Sequence, residues 1–278
     1  MGFTAREAMP GVWHIEDAMG VCMTLLAGQA RALLIDTGYG LEDVSAFVRT
    51  LTSLPLTVLL THHHHDHALG ARWFSQTLMF PEDAEAFPLY TGEAQRRRVL
   101  EQAQAKGLSA DGDFLSAAIP LPLPLAESPI DLGGMTAHVF RCPGHTPGSA
   151  VVWVPERALL LTGDAWNPCT WVFFPEALPV HEHLQNVRAL LTLPFEHILC
   201  AHRQKDYPRL ALESFLHGAT DRALLSAQPV FIPPYGHIDT REALLYDGQQ
   251  IVFDWAKAKH TLRKEQNDEA SARQRPSR

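Results

Sequence analysis

The sequence predicts a layered α/β fold in which sheets are packed between helices. Three observations lead there. Short apolar, β-rich runs and helical periodicities occur in two similar-looking blocks, one before and one after a helical, proline-rich middle. The 278 residues are enough for one large domain or two small ones. Of these residues 46% are hydrophobic, so a sizeable core can be buried.

The first block opens with two runs, "GVWHIE" from Gly11 and "VCMTLLAG" from Val21, followed by "ARALLIDTG" from Ala30. Gly28-Gln29-Ala30 reads as a hairpin connection between the second and third. From Leu41, "LEDVSAFVRTLTSL" places Leu41, Val44, Phe47, Val48 and Leu51 on one side at helical spacing. Pro55 then opens a buried strand, "LTVLLT", which delivers the chain to His62. In the middle, "GEAQRRRVLEQAQAKG" predicts a helix stopped by Gly107. The stretch "IPLPLPLAESP" cannot be regular helix or central strand, because its prolines remove backbone donors. Pro81 to Pro129 therefore reads as a helical insertion with an extended connector, either a wall or lid over a site or a purely structural addition.

The second block resumes with strands at "MTAHVFRC", "SAVVWVP" and "RALLLTGD". A helix follows over His181 to Thr192, then the strand "HILCAH", then one further helix, "PRLALESFLHGATDRALLS". "EALLYDGQQIVFDW" predicts a hairpin turning at Asp247-Gly248. The expected organisation is a single domain over residues 1–259, with the insertion at about 81–129 and a C-terminal extension at about 203–259. Residues 260–278 are charged, nearly devoid of large apolar groups, and expected to be a flexible tail.

Bulk properties exclude several function classes. A net charge of −8 argues against a polyanion as partner, and the one dense basic run, Arg96-Arg97-Arg98, reads as a solvated helix face. Cys22, Cys142, Cys169 and Cys200 are scattered, which suggests free thiols in a reducing compartment. The N-terminal "MGFTAREAMPGVW" lacks the apolar region of a secretory signal, and no apolar stretch is long enough to span a bilayer. A soluble cytoplasmic protein acting on a small molecule, without nucleic-acid or membrane partners, is expected; oligomeric state is unreadable.

The densest chemistry lies in "LLTHHHHDHALGA", with five histidines and Asp66 between His62 and His67. Residues two apart on a strand share a face, so His62 and His64 can converge on one ion. Asp66 and His67 follow where the chain turns into a helix, and could face a second ion. His63, His65 and His67 share a parity too, and spacing leaves that alternative open. Further ligands come from three other strand ends: His145 in "RCPGHTPGSA", Asp164 in "LLLTGDAW" and His202 in "HILCAHRQ". Imidazole and carboxylate together suit zinc, with iron and manganese also tolerated.

H-x-H-x-D-H, then P-G-H-T-P-G-S, then T-G-D, then a last histidine after a strand resembles the metallo-β-lactamase superfamily pattern over Gly11 to His202. The resemblance implies a four-layer αββα sandwich, here with a helical insertion, and a binuclear metal site along one edge of the sheets. It implies His62, His64 and His145 as ligands of the first ion and Asp66, His67 and His202 as ligands of the second. Asp164 resembles the carboxylate that bridges them, and His63 and His65 are then not ligands. Asp36 in "LLIDTG" resembles the family's buried aspartate beneath the site; it would orient ligands or cap the turn at Thr37-Gly38. "THHHHDH" is similar to the T-H-H-H-x-D-H of glyoxalase II, yet "TGDAWNPCTWVF" lacks that subgroup's continuation, and Ala201-His202-Arg203 replaces the family's common G-H-G.

The expected function is a hydrolase with two divalent ions, zinc preferred, whose bridging hydroxide attacks an ester, thioester, lactone or amide while Asp66 handles the nucleophile's proton. The alternatives are a one-iron oxygenase like the persulfide dioxygenases, and a non-enzymatic metal-stabilised binding protein. Four further residues or pairs are weighed. His181 and His183 could border the cleft but read as ordinary exposed helix-start residues; Cys169 reads as a loop thiol; Tyr207 and His237 are candidates for a wall or proton donor.

Overall fold

In the computed structural model, which describes residues 2–259, 261 and 262, two large sheets lie face to face between helices. The first runs β1 (Thr4–Met9), β2 (Val12–Glu16), β3 (Cys22–Ala27), β4 (Ala32–Ile35), β5 (Leu56–Leu59), β6 (Leu78–Met79) and β7 (Leu123–Pro124) in chain order. Its first four strands pair antiparallel, and β4 to β7 pair parallel. The connector's prolines confine it to the sheet edge, as β7. The second sheet is built from β8 (Pro129–Asp131), β9 (Thr136–Arg141), β10 (Ala150–Val154), β11 (Leu159–Leu161), β13 (His197–Leu199) and β14 (Tyr207–Pro208). Within it β11 and β13 run parallel.

Alternation along the strands sorts the core. In β10 and β11, Val152, Val154, Leu159 and Leu161 face the first sheet, where they meet Leu26, Leu33 and Leu59. Val151 and Leu160 point the other way, toward α5 (Val180–Ala189) and α6 (Arg209–Gly218). The outer face of the first sheet, with Met23, Leu25 and Leu34, is covered by Val44 and Val48 of α1 (Val44–Leu51). Asp43 starts that helix by accepting the Ala46 amide. This is the expected αββα order. Each layer matters: cutting the fully buried Leu33 to alanine would cost about 2–5 kcal/mol.

Three features depart from the expected elements. The polar segment Thr4–Met9 is a strand, β1, paired with β2. The single helix expected over 208–226 is two, α6 and α7 (Asp221–Leu225), because the backbone leaves helical geometry at Ala219 and Thr220 caps the second by accepting the Ala223 amide. And β12 (Cys169–Val172) joins β17 (Gln250–Asp254), β16 (Thr240–Leu244) and β15 (Gln228–Pro229) in a third sheet. The expected hairpin at Asp247-Gly248 is present as β16 and β17. Of the expected tail, Leu262 is buried in the core; residues 260 and 263–278 lie outside the described residues. Among the described residues no helix is long and apolar enough to cross a membrane.

Candidate metal centre

The ends of the two parallel pairs, β4 with β5 and β11 with β13, meet at one edge of the sandwich. Backbone hydrogen bonds join the sheets there, from Ala150 N to Thr61 O at 2.8 Å and from Cys22 N to Ala201 O at 2.6 Å. Past β5 the chain bends at Thr61 to His63, and His64, in an extended conformation, leads into the one-turn helix α2 (His65–Ala68). Gly70 lets that turn lie on the neighbouring loop: a Cβ there would sit 2.0 Å from Thr37 O. All seven residues expected as ligands are brought together at this edge.

Hydrogen bonds decide which ring nitrogens are free. Thr61 Oγ1 gives its proton to Asp36, so it accepts from His62 Nδ1 at 3.0 Å and leaves His62 Nε2 as a lone pair. His64 Nε2 donates to Glu176 Oε1 at 3.0 Å, and His145 Nδ1 donates to the Trp171 carbonyl at 2.6 Å. Their remaining nitrogens converge: His145 Nε2 lies 3.2 Å from His62 Nε2 and 2.9 Å from His64 Nδ1. Three acceptors aimed at one another repel unless a cation sits among them. Burial, reinforced by the neighbouring imidazoles, holds His62 well below the usual histidine range and His64 at about 3, so protons do not fill that role. The trio suits a divalent metal ion.

The second trio has carboxylates in place of a third imidazole. His67 Nδ1 donates to Asp36 Oδ2 at 2.9 Å, which turns its Nε2 toward Asp164 Oδ2 at 3.5 Å and Asp66 Oδ2 at 3.6 Å. His202 Nε2 lies 3.0 Å from Asp164 Oδ2 and 3.7 Å from Asp66 Oδ2. Burial opposes a charge on His67, but Asp66, Asp36 and Asp164 overcome it and drive its pKa well above normal. The pocket demands positive charge. Asp164 Oδ2 is also 3.6 Å from His145 Nε2, so this carboxylate reaches both trios, and the buried Asp164 Oδ1 and His67 Nε2 have no hydrogen-bond partner among the described residues.

Asp36 orients, as the first of its two expected roles. Its backbone is left-handed, φ 66°, a strained choice for a non-glycine residue. That geometry points its carboxylate at the Thr61 amide (2.7 Å), the Thr61 hydroxyl and His67, and away from the turn at Thr37-Gly38. Glu176 was not foreseen. Its Oε1 accepts from His64, from His63 Nε2 at 3.1 Å and from Tyr90 OH at 2.6 Å. His63 also faces Asp83 Oδ2 at 3.0 Å through Nδ1; burial disfavours its charge, but the two carboxylates outweigh that and raise its pKa. Although His63, His64 and Glu176 form a metal-sized group, His64 uses there the nitrogen opposite to the one facing His145. Glu176 therefore acts as a clasp on a ligand. His65 packs its ring on Tyr39.

A cleft of about 450 Å³ opens over the centre, reached by Asp66, His145, Asp164 and His202. The insertion does form a wall: α3 (Phe87–Thr91) contributes Tyr90, and α4 (Glu93–Ala105) contributes Gln95, Arg98 and Gln102. The C-terminal region adds Ile232 to Tyr235. Several expectations are corrected. Cys169 is no loop thiol; it opens β12, lines the cleft and accepts from Gln250 Nε2. His183 is buried, not exposed, because the loop carrying His145 crosses it at Gly144. His181 is half-buried and, like His183, lies outside the cleft lining. Tyr207 packs edge-on against Trp166 and His237 is exposed, and neither lines the cleft. The run Arg96 to Arg98 is not one solvated face, since a helix turns successive residues apart. Arg96 is buried and donates to the carbonyls of Phe114 and Ala117, whereas Arg97 and Arg98 are exposed, Arg97 pairing with Glu93 and Arg98 lining the cleft.

Comparison with known proteins agrees with this geometry. The sequence profile of the metallo-beta-lactamase superfamily matches residues 18–202. Hydroxyacylglutathione hydrolase of Cereibacter sphaeroides is 29% identical over 147 residues, 52% of this chain and 46% of that protein. Acyl-coenzyme A thioesterase MBLAC2 of Gallus gallus is 28% identical over 155 residues, 50% of this chain and 55% of that protein. The chain thus matches about half the length of these relatives. Among solved structures, TTHA1623 in a di-iron-bound form is 28% identical with a TM-score of 0.50, covering 69% of this chain and 91% of that one. A metallo-beta-lactamase from Erythrobacter litoralis, 18% identical with a TM-score of 0.56 over 78% of this chain and 95% of that one, shares the fold.

Proposed function

This chain belongs to the metallo-beta-lactamase superfamily, and from that premise we propose that it is a metal-dependent hydrolase of a small-molecule thioester or ester, working with two divalent ions. One observation carries the reading. Two trios of ligand atoms, the first buried and the second partly buried, each short of positive charge, share the single carboxylate Asp164. His62, His64 and His145 would hold one ion and Asp66, His67 and His202 the other, with Asp164 between them. The relatives' names, a hydroxyacylglutathione hydrolase and an acyl-coenzyme A thioesterase, favour a thioester. Zinc suits the donor set, and the di-iron form of TTHA1623 supports iron as the second choice.

Bound divalent ions supply Lewis acidity, lowering the pKa of a water from 15.7 toward about 7 and polarising a carbonyl. The chain's own residues do the rest. The hydrogen bonds to Thr61, Glu176, Trp171 and Asp36 fix His62, His64, His145 and His67 so that these four imidazoles need no reorientation during turnover. Burial would raise the Asp66 carboxyl, but His67, His65 and His202 hold it at about 2, so it is ionised at neutral pH. Its Oδ2 faces His67 and His202, and the carboxylate, which lines the cleft, can take the attacking water's proton and deliver it to the leaving thiol. The cleft has the size of small-ligand sites.

The test is elemental analysis of native protein coupled to a thioester, ester, lactone and amide panel on the same sample. Two ions per chain with thioester turnover is the expected result, and His62→Ala and Asp164→Ala should lose both metal and activity. Metal without turnover over the whole panel would instead mark a binding protein, and one iron with oxygen consumption an oxygenase.

A further inference from the structure

Beyond the metal centre, the cleft has two unlike surfaces. One is apolar, with Trp171, Phe174, Ile232 and Tyr235 among its lining residues. The other comes from α4, which presents Gln95, Arg98 and Gln102 at spacings of three and four, one stripe of the helix. The adjoining stripe, Arg96, Val99 and Ala103, each one position on and so about 100° round the helix, is buried and holds the helix in place. Arg98 is therefore aimed by a fixed element rather than by a loop.

Its charge is unspent. Among the described residues Arg98 pairs with no carboxylate, and its side-chain hydrogen bond is a long one, 3.5 Å from Nη1 to Gln95 Oε1. A second guanidinium in the lining, Arg203, bonds only the main-chain carbonyl of His202. Apart from Asp66 and Asp164, which belong to the candidate metal centre, no carboxylate among the described residues lines the cleft. A protein of net charge −8 thus keeps a cationic patch beside its candidate active site, where it would attract anions and leave neutral molecules unaffected.

We propose that Arg98, flanked by Gln95 and Gln102 and joined by Arg203, binds an anionic group on the substrate, a carboxylate or a phosphate, while the aromatic wall takes the substrate's apolar part. A guanidinium suits both anions through paired N–H donors. The inference rests on the cleft being the substrate site, as proposed above, and it narrows that substrate to an amphipathic anion.

The test needs no turnover. Three thioethers that cannot undergo thioester cleavage, 3-(octylthio)propanoate, 2-(octylthio)ethylphosphonate and the neutral 3-(octylthio)propan-1-ol, are titrated into the native protein by calorimetry. At least one anion should bind about tenfold or more tightly than the alcohol, an effect of the size expected for a charge-assisted contact. Which anion binds better separates a carboxylate substrate from a phosphorylated one. Arg98→Gln should reduce the preference to under about threefold and Arg98→Glu should abolish it, with binding of the alcohol unchanged. Arg97→Gln, exposed on the same helix, should keep the wild-type preference. Equal binding of all three probes, or an anion preference that survives Arg98→Glu, overturns the assignment; the second result would place the anion on the metal centre alone. A protein that shows the Arg98-dependent preference yet hydrolyses nothing refutes the hydrolase and upholds this site.

Discussion

Replacing Glu176 by alanine probes how the cage is held. Its Oε1 accepts three donors, from His64 Nε2 at 3.0 Å, His63 Nε2 at 3.1 Å and Tyr90 OH at 2.6 Å. Without it, nothing keeps the proton on His64 Nε2, and the ring can turn its other nitrogen away from His62 and His145. Loss of such an outer partner lowers metal affinity by about 10–100-fold, which corresponds to about 1.4–2.7 kcal/mol. Three unmade hydrogen bonds would cost more if all stayed dry, about 1–3 kcal/mol each. The Glu176 side chain is 19% exposed, however, so water can enter and the folding cost should fall near the lower end. The assay is chelator competition for the bound ion, paired with urea unfolding of the metal-free protein. Glu176→Gln, which keeps an acceptor oxygen, should recover much of the loss. In a His64→Ala background the Glu176→Ala change should cost no further metal affinity, because its route to the ion is gone. Unchanged affinity in the single variant, or an equal loss in both backgrounds, would refute the clasp.

Three further outcomes are expected. Burial pushes His183 down to about 3, against about 6.5 when unfolded, so its contribution to stability is intact above pH 6.5 and lost as pH falls toward 3. By pH 5 wild type should have lost about 2 kcal/mol that His183→Leu retains, read as the difference in their urea midpoints across pH; parallel curves would show that His183 takes up its proton without penalty. Asp36→Ala removes the acceptor for both Thr61 and His67 and should weaken metal binding by about tenfold or more, measured by the same chelator competition; wild-type affinity would assign Asp36 to the turn alone. Stripping the ions should lower Tm: a ligand at a hundred times its Kd contributes about 2.7 kcal/mol, or about 5–10 °C for a chain of this size, and an unchanged melting curve would mean that no ion was bound.

The candidate ligands were legible because each lies where an apolar strand stops, a pattern visible in one dimension. His62 and His64 needed only the two-residue strand period to be paired, whereas choosing them over His63 and His65 needed the resemblance and then the hydrogen bonds. Glu176, Tyr90 and Asp83 carried no such signal, since they meet His63 and His64 through loops and an insertion whose spacing obeys no rule. His183 looked exposed because a histidine near a helix start is usually solvated; a loop more than thirty positions earlier covers it. The break between α6 and α7 was visible in Thr220, a capping residue, but the apolar pattern on either side masked it. The strand β1 escaped notice because "TAREAM" is too polar to read as sheet, and β12 because its partner lies about eighty residues further on.

The seven candidate ligands are all encoded by residue 202, yet Trp171 belongs to a strand fastened to β17, which the chain completes only at Asp254. The apolar side of the entrance is thus completed by a later stretch of the polypeptide than the candidate ligands and than Arg98. Mutation can therefore reshape the entrance, by altering the last hairpin, without disturbing a single atom that touches the ions.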